Sequence, residues 1–459
     1  MNNDVIQREV SRWSEEFDTL HLPAVVRPYV NAAPPVLRHA VMFVCMVALS
    51  IYSMRLRFRY PFNRTPMGCQ LHVYVSADQA SGKDSLDEIQ AEIMQLMSQF
   101  NDSEMAREQE YENLPEKVQR KTPRPLTCIF MLPPSTSRTQ ICKRVYSMNQ
   151  RFGSTEHVFL YTFSSEIGTL LEANKNAFSD LRTINRLSYD INGKFGLDFV
   201  LKEAFRGQVY INQSLLYLGT EYAMDKFFNI DAILNGNLSR SIVLSFRQEI
   251  GASAPVYKDI PTCEQALNHK VLSQLFNEVF DSSNPNALMP EKHLDLSFLF
   301  PDVYDYHDIV GTEARRTQSW AIDVFRKRAC VSAFRIAAIT YNVYNTENEM
   351  LPASKQLSSA QIVHNTRTIF NFCAYYILNS TLVMYGDIAE DFNNFQRRKR
   401  QRSCATSIID SLMDTFSRND LEAELKHRNM NTPIKNFIYK WISSGKIEKI
   451  GEDEYQKIY

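Results

Sequence analysis

Glycine is scarce in this chain. Its 459 residues include 14, where average usage of about 7% would give roughly 32. Each glycine therefore marks a place where backbone freedom is worth locating. Cysteine is sparse and scattered. Cys45, Cys69, Cys128, Cys142, Cys263, Cys330, Cys373 and Cys404 form no CxxC pair and no cluster with histidine. That pattern supports neither a zinc site nor a disulfide framework, and it reads as buried thiols in a reducing cytoplasm. An excess of one charge is also lacking. Lys+Arg 51 against Asp+Glu 52 leave a net charge of −1, which excludes a globally basic nucleic-acid binder and confines any such site to a local patch. No apolar run is long enough to span a membrane. The longest, Ala40–Met54, is about 15 residues and contains Ser50 and Ser53, where a span needs about 20. It lies too far along for a signal peptide, so a buried core helix is expected, with no membrane partner.

What is present is enough for several cores. Hydrophobic content is 44%, and at roughly 150 residues per domain the length suggests two to four domains. The informative stretch is Leu71–Leu86, LHVYVSADQASGKDSL. A β-forming run leads into small and polar residues, then Gly82-Lys83. Apolar positions at Leu86, Ile89, Ile93, Leu96, Met97 and Phe100 then recur at helical spacing. Strand, loop, Gly-Lys and helix is the layout of a phosphate-binding P-loop. Backbone N–H groups at a helix start point at phosphates, and the helix dipole favours their charge. The expected nucleotide contacts are Ala77, Gln79, Ala80, Ser81, Gly82, Lys83, Asp84 and Ser85, with Lys83 on the phosphates of ATP. Against the pattern G-x-x-x-x-G-K-[ST], Ala77 takes the first glycine position and Asp84 the hydroxyl position. Asp84 and Ser85 are then the candidate Mg²⁺ ligands, since carboxylates bind that ion. The plain alternative is a surface turn with an incidental Gly-Lys.

Residues 1–60 look helical, broken by Pro23, Pro28 and Pro34-Pro35. Arg55, Arg57 and Arg59 alternate with Leu56, Phe58 and Tyr60, which suits a short extended segment with a solvated basic face. The charge-rich 100–125 stretch extends the helix after the P-loop. Further β-rich runs follow at Leu126–Leu132, His157–Phe163 and Ser214–Leu218. Ser135 or Thr136 is placed to cap the helix after the first of them. Short apolar strands separated by helices suggest a three-layer α/β domain, in which ligands bind at the carboxyl ends of the strands. Glu166 and Thr220 lie at such ends. An ATPase needs a carboxylate to orient water and a polar group near the γ-phosphate, so both are candidate catalytic residues beside Lys83. Their plainer readings are a helix-start acid and a turn residue. Arg240 precedes the run Ser241–Phe246 and is the candidate to reach a neighbour's phosphates, or else an ordinary surface arginine.

Residues 252–312, rich in proline, read as an irregular connector, and His293, Asp295, Asp305, His307 and Asp308 as polar loops. From about 313 to 395 the chain is helical. A basic run, Gln396–Arg402, then supplies Arg397, Arg398, Lys399, Arg400 and Arg402 as candidate DNA phosphate contacts, or as a solvated linker. The tail reads as helices at Ser407–Phe416, Asn419–Arg428 and Thr432–Ser444 followed by a hairpin, which is the plan of a winged helix. Its third helix would present Thr432, Lys435, Asn436, Tyr439 and Lys440 to DNA, while the acidic wing tip Glu452-Asp453-Glu454 repels phosphate. The expected organisation is 1–60 helical, 61–250 ATPase core, 251–312 connector, 313–402 helical with a basic linker, and 403–459 winged helix.

Taken in order, LPAVVRPYVNAAPP, QASGKDS, LTCIFMLPPSTS, VFLYTFSSEIGTLL, FSDLRTI, LLYLGT, LNGNLSRSIVLSF, VSAFRIAAI and SGKIEKIGEDEYQKIY make nearly the whole chain resemble the primase–helicase-like P-loop ATPases of bacterial mobile elements and prophages. The resemblance implies a hexameric-type helicase core, often fused to a primase module that this sequence does not contain. It places Ser81, Gly82 and Lys83 in the phosphate loop, Glu166 in the strand-end acidic motif, and Thr220 and Arg240 in the Gly-Thr and Ser-Arg positions. Asp84 replaces the Mg²⁺-binding hydroxyl, and Ser164 stands where the family more often has its first acid. The expected function is a DNA-acting ATPase, homo-oligomeric, coupling ATP to DNA movement. The rival is a P-loop scaffold that binds DNA or a replication partner without hydrolysing ATP.

Overall fold

The computed structural model describes residues 4–78, 82–153, 156–168, 178–191, 193–198, 206–247, 251, 253, 255–428, 430 and 433–458, with the backbone alone at 178–181, 197–198, 206, 231, 234 and 395–407. The chain is mixed α/β and divides into two compact units, residues 1–387 and 388–459. In the first, the strands are β1 (Leu56–Phe58), β2 (His72–Ala77), β3 (Phe159–Ser164), β4 (Lys194–Asp198), β5 (Arg206–Tyr210), β6 (Asn212–Gly219), β7 (Ile242–Phe246) and β8 (Lys292–Leu294).

The central sheet is parallel, in the order β3-β6-β2-β7. Its strands are buried on both faces, which is why they read as continuous apolar runs. Alternation along β6 sends Ser214 and Tyr217 to opposite faces. Ser214 meets Ser50 of the helix Arg38–Tyr52, hydroxyl to hydroxyl at 2.7 Å. Tyr217 packs with Tyr74 and Phe227, the latter on the helix Glu221–Phe227. Helices therefore cover both faces. The apolar run expected as a core helix is one, buried from Ala40 to Tyr52. Contrary to the length read from Ala40–Met54, the apolar stretch begins earlier: among the described residues, Pro35–Tyr52 is the one helical stretch apolar and long enough to cross a membrane by composition, and most of it lies inside the unit.

Several expectations need correction. Leu126–Leu132 is not a ladder strand. It runs along the outer edge of β3, where Tyr161 N–H donates to Phe130 O and Leu132 N–H to Tyr161 O. The N–H groups of Thr127, Cys128, Phe130 and Met131 are taken by side chains. Glu104 accepts from Cys128, and Asn101 Oδ1 accepts from both Phe130 and Met131. Side-chain acceptors on the helix Gln95–Glu112 thus replace a sheet neighbour. That helix is separate from Asp84–Ile93, with a break at Met94. Ser137, not Ser135 or Thr136, caps the next helix, Arg138–Phe152. The alternating arginines are not a solvated face either. Arg55 and Arg57 are buried and pair with Glu156 and Glu291, each at 2.5 Å; Arg59 alone of the three is exposed.

The 252–312 stretch is largely ordered secondary structure. It contains the helix Thr262–Asn277, and the helix Phe300–Thr317 begins within it. Pro261 and Pro301 sit at helix starts, where the missing N–H costs nothing, so they open helices rather than break them. His293 lies in β8, paired with β1, and Asp305, His307 and Asp308 are helical. Long helices Trp320–Met350 and Ser359–Ser411 follow.

The second unit carries β9 (Thr415–Ser417), the helices Arg418–His427 and Ile434–Ser443, then β10 (Ile447–Lys449) and β11 (Glu454–Lys457). The sheet is antiparallel, β10-β11-β9. Strand β9 falls where a helix was expected to reach Phe416. Ser417 and Asp420 form a reciprocal capping box that starts the next helix, and this fixes the boundary. Phe416, Leu421, Leu425, Phe437, Trp441, Ile447 and Tyr455 fill one core.

Candidate functional site

Three carboxyl strand ends meet around β2. The connection leaving β2 travels past β6 and β3 to the sheet's edge, while the one leaving β6 passes to β7 on the other side. Right-handed crossovers in opposite directions lie on opposite faces of the sheet, which makes the β2–β6 boundary a topological switch point.

Ala77 ends β2, buried and paired with Phe246. Its φ is not positive, so a small side chain is accommodated where glycine was the pattern. Gln79, Ala80 and Ser81 lie outside the described residues. Gly82 has φ +80, and a Cβ there would stand 2.5 Å from Pro255 Cγ. Two independent reasons therefore require glycine. Lys83 is the N-cap of the helix Asp84–Ile93 and does not cap it with its side chain; in the first turn Ser85 N–H turns back to Gly82 O at 3.3 Å and Leu86 N–H to Lys83 O at 2.9 Å. Asp84 is exposed at the first helical position, and Ser85 follows, half-buried. Tyr257 lies half-buried beside Ser85. Burial pushes its hydroxyl up to about 12, against the pull of Ser85.

Lys83 Nζ donates to Glu166 Oε2 at 3.0 Å. The Lys83 side chain is 16% exposed and that of Glu166 40%, so the pair is reachable from solvent. Glu166 is two residues past the end of β3. Its N–H donates to Ser164 Oγ at 3.4 Å, and its Oε1 accepts from Gly168 N–H at 3.3 Å. The turn it stands on is pressed against β6, because a Cβ on Gly219 would come within 2.5 Å of Ile167. Thr220 follows and caps the helix Glu221–Phe227, accepting from Ala223 N–H at 3.4 Å.

Arg240 is not brought to this site in its own subunit. It precedes β7 at the amino edge of the sheet, while Lys83 is at the carboxyl edge, and five strand residues separate the two by roughly 17 Å. Arg240 donates to its own Gly236 O at 2.9 Å. Burial, then neighbouring Arg328, lowers its pKa. The rule that singles out Glu166 and Thr220 points on β7 to Arg247 instead. Its guanidinium grips Glu221 at 2.5 and 2.6 Å, a pair that links the ends of β7 and β6 on either side of β2. Pro255 and Tyr257 had no comparable sequence signal, since their role depends on a chain return over the loop.

Among the described residues no three His, Cys, Asp or Glu side chains gather as a metal site. Mg²⁺ bound with a nucleotide needs one or two protein ligands beyond phosphate and water, and Asp84 and Ser85 suffice in kind. In the second unit, Lys435, Asn436, Tyr439 and Lys440 lie on the exposed face of Ile434–Ser443, opposite Phe437 and Trp441. Thr432 lies outside the described residues. Arg397, Arg398, Lys399, Arg400 and Arg402 lie on Ser359–Ser411 where the backbone alone is described. Comparison with protein-family models and with curated proteins returns no match to this chain.

Proposed function

We propose that this chain is a DNA-acting P-loop ATPase, a helicase-like replication protein of a mobile genetic element, with a three-layer α/β core and a C-terminal winged helix. The observation that carries the reading is the Lys83–Glu166 pair, 3.0 Å apart, beside a positive-φ Gly82 at a helix start. A cation and a carboxylate placed together at a switch point suit phosphoryl transfer, where catalysis is mostly positioning and electrostatics.

In this reading the nucleotide's phosphates replace Glu166 as the partner of Lys83. Glu166, once released, accepts a hydrogen bond from the attacking water. Asp84 and Ser85 would hold Mg²⁺, which would supply charge neutralisation at the phosphates. Thr220 keeps its O–H to offer while its lone pair caps a helix. Arg240 faces away from its own loop, so its role requires a neighbouring copy, and a homo-oligomer, hexameric by the resemblance, is part of the proposal. Lys435, Tyr439 and Lys440, with the basic 397–402 run, would contact DNA in a cytoplasmic setting. The arrangement of one strand and two helices ahead of a hairpin supports the winged-helix assignment.

Phosphate release from ATP and Mg²⁺, with and without single-stranded DNA, tests this. Release that rises with DNA and vanishes in Lys83→Ala is expected. A second reading is favoured by Asp84 at the hydroxyl position and Ser164 at an acid position: a scaffold that binds nucleotide without cleaving it. Tight binding with no release, unchanged by Asp84→Ser, would select that reading.

A further inference from the structure

A second cleft opens on the amino edge of the sheet, on the side away from Lys83. It comprises a cavity of about 690 Å³ and an adjoining one of about 360 Å³, which share Phe62, Asn63, Met67, Asp190 and Arg328. Arg64 and Arg335 line the smaller and Arg326 and Lys327 the larger. Arg335 anchors its floor. Its side chain is 1% exposed, it donates to Gln70 O at 2.8 Å, and it stacks 3.9 Å over Tyr189. Its Nε is buried with no hydrogen-bond partner. Arg328 also lies over the Tyr189 ring, 5.7 Å away, and its charge acts on Arg240.

The charges do not balance. Asp323 is shared by Arg326 and Lys327, each at 2.8 Å. Among the described residues, Asp190 is the carboxylate set among Arg335, Arg328, Arg240 and Arg186, and it reaches Arg335 at only 3.5 Å. Neither Arg64 nor Arg328 has a carboxylate partner among the described residues. Asp308 adds one further negative charge. His307 adds no positive charge, since burial and then Arg326 and Lys327 hold it down at about 4. Clustered guanidinium groups in a concave, half-desolvated site repel one another until an anion arrives.

Phe62 supplies a second signal. It is 58% exposed at the mouth of the cleft and held upright by edge contacts with Tyr60, Tyr304 and His307. A rigid exposed ring beside a basic groove is the pairing that holds single-stranded nucleic acid, through stacking on the base and cations on the backbone. A lone phosphate would fill little of this volume and would leave the ring unused.

We propose that this cleft binds single-stranded nucleic acid, with a base on Phe62 and backbone phosphates on Arg328 and Arg64. The site shares with the function proposed above only the expectation of a nucleic-acid partner, and needs no nucleotide at Lys83.

The test is fluorescence anisotropy of a labelled oligothymidylate titrated with the full chain, without ATP, at several salt concentrations. Phe62→Ala is expected to weaken binding about 5- to 100-fold, with Phe62→Tyr restoring it. Arg328→Ala is expected to weaken it and to lower the salt slope by about 0.7. ATP binding, measured on the same samples, should be unchanged in both variants, and melting temperatures should show Phe62→Ala folded. No oligonucleotide binding by the unaltered chain overturns the proposal. So does binding that neither Phe62→Ala nor Arg328→Ala alters, which would assign it to the second unit. Complete displacement by inorganic phosphate with no effect of Phe62→Ala also overturns it, marking a free-anion site. Loss of ATP binding in Lys83→Ala is a separate result and bears only on the ATPase reading.

Discussion

Lys83 and Glu166 lie 83 residues apart in sequence, yet ammonium and carboxylate meet at 3.0 Å across the ends of β2 and β3. The pair is partly exposed, so solvent screening limits its worth to folding to less than about 1 kcal/mol. Its removal should show instead in ligand binding and chemistry. Lys83→Ala is expected to weaken ATP binding by about 10- to 100-fold, the loss of charge-assisted hydrogen bonds. Glu166→Gln should retain binding and lose about 10²- to 10⁴-fold in turnover. Urea denaturation should place both variants within about 1 kcal/mol of the unaltered chain. A large stability loss would mark the pair as structural.

Gly82 carries a sharper expectation. Gly82→Ala forces a Cβ into the left-handed region at about 1–2 kcal/mol, and into Pro255 as well. Pro255→Gly in the same chain should recover the steric part and leave the conformational part. If the double variant recovers nothing, then Pro255 does not press on the loop.

Much of the site was legible because its residues follow strand ends. Gly82-Lys83, Glu166 and Thr220 each come directly after an apolar run, and a parallel sheet collects such ends at one edge. The chain return that sets Pro255 and Tyr257 over the loop has no local signature. Arg240 is a different case: a loop-to-strand junction lies at the amino edge, which leaves it to a neighbouring copy, and strand direction makes Arg247 the arginine at the carboxyl end of β7. Arg55 and Arg57 looked solvated because their carboxylate partners, Glu156 and Glu291, are distant in sequence. The prolines at 261 and 301 have opposite meanings inside and at the start of a helix, and composition alone does not distinguish the two.

His72 makes stability depend on pH. Burial, then Arg335, lowers it to about 3, and its Nε2 faces Gln213 O at 3.1 Å. The folded state then binds fewer protons than the unfolded state near the ordinary value of 6.5. Its contribution is therefore complete above that value and lost as pH falls toward 3. Between pH 7 and pH 5 the loss is about 2 kcal/mol. Denaturation midpoints at the two pH values should differ less in His72→Gln than in the unaltered chain. Equal differences would show that His72 is not held neutral.

The edge segment rests on side chains. Asn101→Ala removes the acceptor for the Phe130 and Met131 N–H groups, and is expected to cost about 2–3 kcal/mol. Asn101→Asp keeps an acceptor oxygen and should cost less. Denaturant unfolding of the two variants compares them, and equal losses would show that the hydrogen bonds are not what holds this edge.

Calorimetric titration of ATP and Mg²⁺ into the full chain tests most directly the proposal that the loop at Gly82-Lys83 is a nucleotide cradle. The prediction is saturable binding by the unaltered protein, weakened at least about 10-fold in Lys83→Ala. Binding of equal strength in both, or heat of dilution alone in the unaltered protein, would contradict it.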